Sequence, residues 1–421
     1  MKKTLALILA VISMMIFCFG AIAEEDVTTV TWFTSRPAGG EIDLTMRQIA
    51  EEYSAMKGGK WQIEFETTAD RPSYLQKLKT MIAGNSMPDI IDIDADPYCQ
   101  ELVDAGLLVD VKSFLEGEGK YDQYHPIALR YQEFTDGTMY TLPLEYHVEM
   151  IWYNTKIFKD LGLEVPKTID EWLNVCETIY NAGITPISVD GVDRWPVLRY
   201  AAMIPFRLTG NEYIINLRDG KASMGDKEGR LAIEFMQKIG KYFNEGFAAT
   251  DYATAQGLFL EGKSAMYYIG DWEWRAMSEK YDAGEVDYFY LPTYEGALTG
   301  ANEFCVNSGI GMAFNAATFD EKVKDFVLYV IERFGTLYAA RQQMSPLKIE
   351  LPEDVEFTDL YKRIDADMKW TGEHFLKPWD TYLDPNTNTV MGDNILLVAS
   401  GDMDAETFIQ LIDESIAANA E

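Results

Sequence analysis

The chain has only three histidines and four cysteines in 421 residues, and its 36 lysines and arginines are outnumbered by 68 aspartates and glutamates. Each scarcity excludes something. His125, His147 and His374 lie far apart, and none stands in a His-Glu-x-x-His arrangement, so zinc chemistry of that kind has no local basis. Three cysteines, Cys99, Cys176 and Cys305, follow the N-terminal segment; they are too scattered for a disulfide framework and could form at most one bridge. They read as small buried hydrophobes, Cys176 directly after Val175 on an apolar face. A formal net charge of −32 repels phosphate backbones and anionic headgroups, which argues against nucleic acid as a partner. Such acidity also has an ordinary explanation, because it keeps an exported protein soluble.

Catalytic signatures are missing as well. There is no phosphate-cradling Gly-x-x-x-x-Gly-Lys run and no Gly-x-Ser-x-Gly elbow, and Gly309-Ile310-Gly311 continues with Met312, Ala313 and Phe314 instead of a dinucleotide fingerprint. Asp92, Asp94 and Asp96 imitate the opening of a calcium loop, but Pro97 stands where the loop needs glycine and Val103 where it needs glutamate. The expectation is no cofactor and no metal. A glycosidase needs only two carboxylates at no fixed spacing, so it stays as the enzyme alternative.

What is there begins with a leader. Lys2 and Lys3 precede an apolar run over residues 5–19 and the small-residue triplet Ala21-Ile22-Ala23, the layout of a secretory signal peptide over 1–23, cleaved after Ala23. The run is short for a membrane span. The alternative is a lipoprotein with lipid on Cys18, which the bulky Met15-Ile16-Phe17 suits poorly. No later segment is apolar enough to span a membrane, so the mature chain is expected to be extracytoplasmic. Roughly 400 residues remain, more than one hydrophobic core serves, and two lobes follow.

Along the mature chain, strands and helices alternate. Residues 27–33 are β-branched and aromatic; the turn Ser35-Arg36-Pro37-Ala38-Gly39-Gly40 leads to an amphipathic run carrying Ile42, Met46 and Ile49, and residues 61–65 alternate as a second strand. Ser73-x-x-Gln76 predicts a capping box and Gly84 a helix end, before a short apolar strand at 90–93. Thr168-x-x-Glu171 predicts another box, followed by Trp172, Cys176 and Ile179 at helical spacing. Further helices are expected at 231–243, at 323–334 with Gly335 as stop, and at 408–416. The pattern indicates an α/β architecture with parallel strands, and no linker, repeat or low-complexity tract separates the lobes.

Several segments carry a resemblance. Asp136-Gly137-Thr138-Met139-Tyr140-Thr141-Leu142-Pro143, then Ile151-Trp152-Tyr153-Asn154 and residues 158–172, form its strongest part. Ser86-Met87-Pro88-Asp89-Ile90, Ala105-Gly106-Leu107-Leu108, Phe259-x-Glu261-Gly262-Lys263-x-Ala265-Met266 and Gly270-Asp271-Trp272 follow the same order. Together they resemble the family-1 extracellular solute-binding proteins of ABC importers, the group that includes maltose- and oligosaccharide-binding receptors. The resemblance implies a type II periplasmic-binding-protein fold, with lobe one at 24–144 and 305–344, lobe two at 145–304 and 345–421, and hinges near 145–148 and 292–304. It also implies a monomer that captures a sugar between its lobes, delivers it to a membrane permease and leaves it unchanged. Receptors for polyamines or other cationic solutes stand as an alternative, since carboxylates beside aromatics also suit amines.

A sugar offers apolar faces and a rim of hydroxyls, so its site needs aromatic platforms and polar side chains around them. By motif position, Trp272 is expected to stack on the ligand and Asp271 to accept a hydroxyl or cap the next helix. Glu145, Tyr146 and His147 are expected at the first hinge, projecting into the cleft or packing it. Asp94 and Asp96, and Arg36 and Glu41, lie beyond strand ends, where α/β ligands sit; capping and surface salt bridges are their ordinary alternatives. Trp195 and Trp379, both in turn-like settings, either pack under loops or face the cleft.

Overall fold

Two α/β lobes make up the computed structural model, which describes residues 27–419 except Glu373. The leader expected over 1–23, with Cys18, lies outside the described residues.

In the first lobe, β1 (Thr28–Thr34) pairs in parallel with β2 (Trp61–Thr67) and β3 (Ile90–Ile93). Val30 and Trp32 bury themselves in one apolar cluster and Phe33 in another, so this sheet is covered on both faces, as parallel sheets are. The fourth strand comes from far along the chain: β9 (Gly311–Phe314) runs antiparallel to β3.

The second lobe holds β4 (His147–Asn154), β5 (Thr185–Ser188), β6 (Ser264–Gly270), β7 (Val286–Phe289) and β8 (Val306–Asn307). Its order is β5-β6-β4-β7, with β8 also on β4. Only β5 and β6 are parallel; β4 runs against β6, β7 and β8. The all-parallel expectation fails here for a topological reason. β4 and β9 are the strands on which the chain enters each sheet from the other lobe, so both leave the cleft while β1, β3, β5 and β6 run toward it. Loops after those four strands therefore gather between the lobes.

The Thr168 box is complete: Thr168 Oγ1 accepts from the Glu171 amide at 3.1 Å, and the Glu171 carboxylate accepts from the Thr168 amide at 3.3 Å. Ser73 is not the cap it was expected to be. The helix Arg71–Ala83 starts earlier, capped by Asp70, which accepts from the Ser73 amide at 2.9 Å. Gly335 does not stop its helix, which runs Glu321–Ala340; a Cβ there would lie 2.7 Å from Ile349 Cγ2, so the glycine admits a neighbouring segment. The helices expected at 231–243 and 408–416 appear as Lys227–Ile239 and Ala405–Asn419. Cys99, Cys176 and Cys305 are buried and free.

Candidate functional site

Where the chain first crosses between lobes, one arginine is surrounded. Arg36, in the loop after β1, pairs with the Glu145 carboxylate, places Nε 3.6 Å from Asp92 Oδ2 and donates to the Ile310 carbonyl. Burial alone would lower its pKa, but Glu145 and Asp92 outweigh burial and hold it above the ordinary value. Arg36 is thus committed to the hinge, where it orients Glu145, and does not aim its donors at the cleft. Tyr146, fully buried, donates to the Met368 carbonyl at 3.2 Å and sets its ring 5.4 Å from that of His125, so it packs the hinge.

From the hinge, the side chains lead to an aromatic group. His147 opens β4 with Nδ1 3.2 Å from Asp271 Oδ2 and Nε2 3.7 Å from Glu145 Oε2. Burial works against a charged imidazole here, yet Asp271, then Glu145 and Glu149, raise its pKa above the usual histidine value. Asp271 is entirely inaccessible, and its other oxygen accepts from the Val148 amide at 2.8 Å. It holds His147 in place and neither touches the cleft nor caps a helix. Trp272 stands next to it, half-buried, with its indole N–H donating to Tyr252 Oη at 2.9 Å. Its ring lies 5.6 Å from His147 and 6.1 Å from Trp195, centroid to centroid. No side chain fits at Gly270, where a Cβ would fall 2.0 Å from the Trp272 ring.

Trp195 is held in turn. The Arg199 guanidinium lies 5.0 Å from its ring centroid, bonds Glu149 through Nε at 3.1 Å to each carboxylate oxygen, and bonds Asp380 at 2.7 Å. Trp379, beside Asp380, is 2% exposed against Tyr213. The structure puts it in the second lobe's core, because the loop folds its apolar member inward and its acid outward.

The first lobe supplies the opposite wall. Asp94 pairs with Arg71, while Asp96 caps the helix Pro97–Asp104 by accepting from the Cys99 amide at 2.8 Å. Glu41 opens the helix Glu41–Met56 and reaches across to Arg275 Nη1 at 3.2 Å; Arg275 also donates to the Arg341 carbonyl. A cavity of about 430 Å³ lies between the lobes, lined by Asp96 and Gln100 on one side and by Arg218, Lys377 and Tyr382 on the other. Among the described residues, no group of three or more His, Cys, Asp and Glu side chains converges as metal ligands do.

Residues 39–332 match the model of the bacterial extracellular solute-binding protein family. The chain belongs to that family. Among its relatives, a multiple sugar-binding protein of Streptococcus mutans is 24% identical over 403 residues, 90% of each chain. An uncharacterized ABC transporter extracellular-binding protein of Pyrococcus horikoshii is 26% identical over 278 residues, 65% of this chain, and the match spans 61% of that relative's length. The solved structure of a chitin oligosaccharide binding protein is 21% identical and matches with a TM-score of 0.76, covering 94% of this chain and 99% of its own. That likeness establishes the fold, two lobes of the solute-binding type.

Within this solute-binding protein, sequence reasoning missed three acidic positions. Asp190, at the end of β5, is 1% exposed with Oδ2 lacking any partner, and burial pushes its carboxyl up to about 6. The strand-end rule that pointed to Asp94 would have found it. Asp380 was passed over for its neighbour Trp379, and Glu149 sits inside an apolar strand that reads as core. Nothing in the sequence pairs Glu149 with Arg199.

Proposed function

We propose that this chain captures a carbohydrate between its lobes and presents it, chemically unchanged, to the membrane permease of an ABC importer. The observation that carries the reading is the pair Trp272 and Trp195, adjoining half-buried rings at the mouth of converging strand ends, with the Glu145 carboxylate one side chain away through His147 and that of Asp380 one side chain away through Arg199. Indole faces suit the apolar faces of a sugar, and orientation-fixed carboxylates suit its hydroxyls. Binding favours closure because only the closed state lets both lobes touch the ligand, and closure is what a permease reads. The sugar-binding relatives, and structural neighbours solved as chitin oligosaccharide and raffinose binders, support it.

The polyamine reading is weaker on charge. Glu145, Asp380 and Asp94 each already face an arginine, which leaves them less free to hold an amine. We further propose that the protein works as a monomer, with lobes divided at 144/145, 304/305 and 344/345, after a leader is cleaved at Ala23; N-terminal sequencing of the secreted form tests the last point.

A tryptophan-fluorescence titration of the mature protein against mono- and oligosaccharides, spermidine and amino acids, with product analysis by mass, tests the function. Saturable binding of an intact sugar is expected. Hydrolysed sugar in the product would turn the reading to a glycosidase, and a response to spermidine alone would turn it to a polyamine receptor.

A further inference from the structure

Directly before Trp195 the backbone takes a conformation that its side chain does not favour. Arg194 has φ 66° and ψ −42°, and the Trp195 amide donates to the Asp193 carbonyl at 2.7 Å, so residues 193–195 close a γ-turn of the rare, strained kind. Asn85 and Gln342, the other non-glycine residues with positive φ among the described residues, follow helix C-termini, where left-handed residues are ordinary. Arg194 instead precedes a helix start, that of Trp195–Thr209, and its side chain makes no cap bond there. Glycine would relieve the strain, yet arginine occupies the position.

Neighbours hold the turn from two directions. Asp190 Oδ1 accepts from the Asp193 amide at 3.1 Å, and the Thr250 carbonyl accepts from the amides of Gly191 and Val192 at 3.1 and 3.2 Å. Gly191 is pressed so closely that a Cβ would fall 2.4 Å from the Phe247 carbonyl oxygen. From the other direction the Arg194 side chain meets the helix Pro385–Ser400, pairing with Asp393 and passing over Gly392, where a Cβ would come 3.3 Å from Arg194 Cδ. Backbone strain persists only where its surroundings over-determine it, and it collects at functional sites.

Here the functional group is next in the chain. Helical Cα–Cβ bonds tilt toward the N-terminus, so the Trp195 side chain leans back over the turn and inherits whatever freedom the turn has. We propose that Arg194 is a positioning residue for ligand capture: its γ-turn fixes the Trp195 indole against Trp272, at 6.1 Å and 61°, before any ligand arrives. The inference rests on the carbohydrate reading, in which these two rings form the platform, and adds the device that sets their angle. Arg199, four residues on, steadies the ring from the helix, but the path by which the chain enters that helix is set at Arg194. A ring held in advance loses less freedom on stacking, and the difference appears as affinity.

The test is Arg194→Gly in the mature protein labelled with 5-fluorotryptophan, the Trp195 signal being identified by its loss in Trp195→Phe. Glycine takes the strained angles freely and many others besides, so relief of strain offsets the entropy added to the unfolded chain, and thermal unfolding is expected to stay near the wild type's. Without ligand, the wild type is expected to give one sharp fluorine resonance for Trp195, and Arg194→Gly a broadened or split one. Affinity for whichever of maltose, xylobiose, chitobiose and raffinose the wild type binds is expected to fall at least about five-fold in the same variant. Asp393→Asn, which loses only a half-exposed ion pair, is expected to match the wild type in both measurements. A Trp195 resonance of the same shape in wild type and Arg194→Gly, or a broadened one with unchanged affinity, overturns the proposal. So does an Asp393→Asn variant that behaves like Arg194→Gly, since the ion pair and not the turn would then fix the ring. If none of the four sugars binds the wild type, the carbohydrate reading falls and the capture role with it, while the resonances still report whether the turn holds the ring.

Discussion

The imidazole of His147 stands perpendicular to the indole of Trp272, at 89° with ring centroids 5.6 Å apart. Trp272 is thereby held on one side by a hinge residue, on another by Trp195, and at its N–H by Tyr252. A ring fixed this firmly loses little freedom on stacking against a ligand. Trp272→Ala is expected to weaken sugar binding by about 2 kcal/mol, roughly thirty-fold, without changing thermal unfolding much. Gly270→Ala, whose new Cβ would displace the ring, is expected to lower affinity as well. Calorimetric titration checks both, and full affinity in a folded Trp272→Ala variant places the ligand elsewhere.

Asp271 determines the charge on His147. Removing its charge with Asp271→Asn takes away the strongest influence that opposes burial, so the imidazole pKa should drop; NMR of the ring protons reads this directly. The sign for stability follows by linkage. A histidine whose folded pKa is raised stabilises fully below its unfolded value near 6.5, and loses that contribution as pH rises through the folded value. The stability deficit of Asp271→Asn should therefore shrink from pH 5.5 to pH 8.5 in urea titrations. A constant deficit would mean that Asp271 acts through the Val148 amide alone.

Arg275 crosses the cleft rim to Glu41 and to the Arg341 carbonyl, joining the helix after β6 to the first lobe. Its side chain and that of Glu41 are 47% and 34% exposed, so the pair is screened and its worth small, of the order of 1 kcal/mol or less. Arg275→Ala is expected to raise the sugar dissociation rate a few-fold in stopped-flow measurements. Added salt should speed release from the wild type more than from the variant; equal salt responses would show that the contact does not contribute to closure.

How much of this was legible beforehand depends on the range of each interaction. The Thr168 box involves residues three apart and reads straight from the sequence. The family motifs single out Trp272 and the 145–147 segment, and the structure sets the His147 and Trp272 rings 5.6 Å apart. Side-chain direction did not read out. Tyr146 and His147 are neighbours, yet one turns into the hinge core and the other toward Trp272, because alternation along an extended chain sends them to opposite sides. For Arg36 and Trp379 the salt-bridge and packing alternatives are the ones seen, to Glu145 with Asp92 and in the core, and Asp271 is committed to His147. Their partners lie tens to hundreds of residues away, and no local pattern encodes those pairings.

His125 offers a test of stability independent of ligand. It is 8% exposed beside Tyr146, and burial lowers its pKa to about 4. As pH falls through 6.5 the unfolded chain takes up a proton that the folded chain refuses until about pH 4, so folding loses up to about 3 kcal/mol across that window. Asp96 works in the opposite direction, since its carboxyl, held near 6, gains a proton in the folded state first as pH falls. Asp190 and His147, whose pKa values are also raised in the folded state, act in the same direction as Asp96, so the wild-type profile sums opposed contributions and the variant minus wild-type difference isolates that of His125. His125→Gln is expected to cost stability at pH 7, where a packed ring is lost, and to recover much of that deficit by pH 4.5 because it has no proton to refuse. Urea unfolding at the two pH values measures the difference. Parallel curves for variant and wild type would show that His125 is as free to ionise in the folded chain as in the unfolded one.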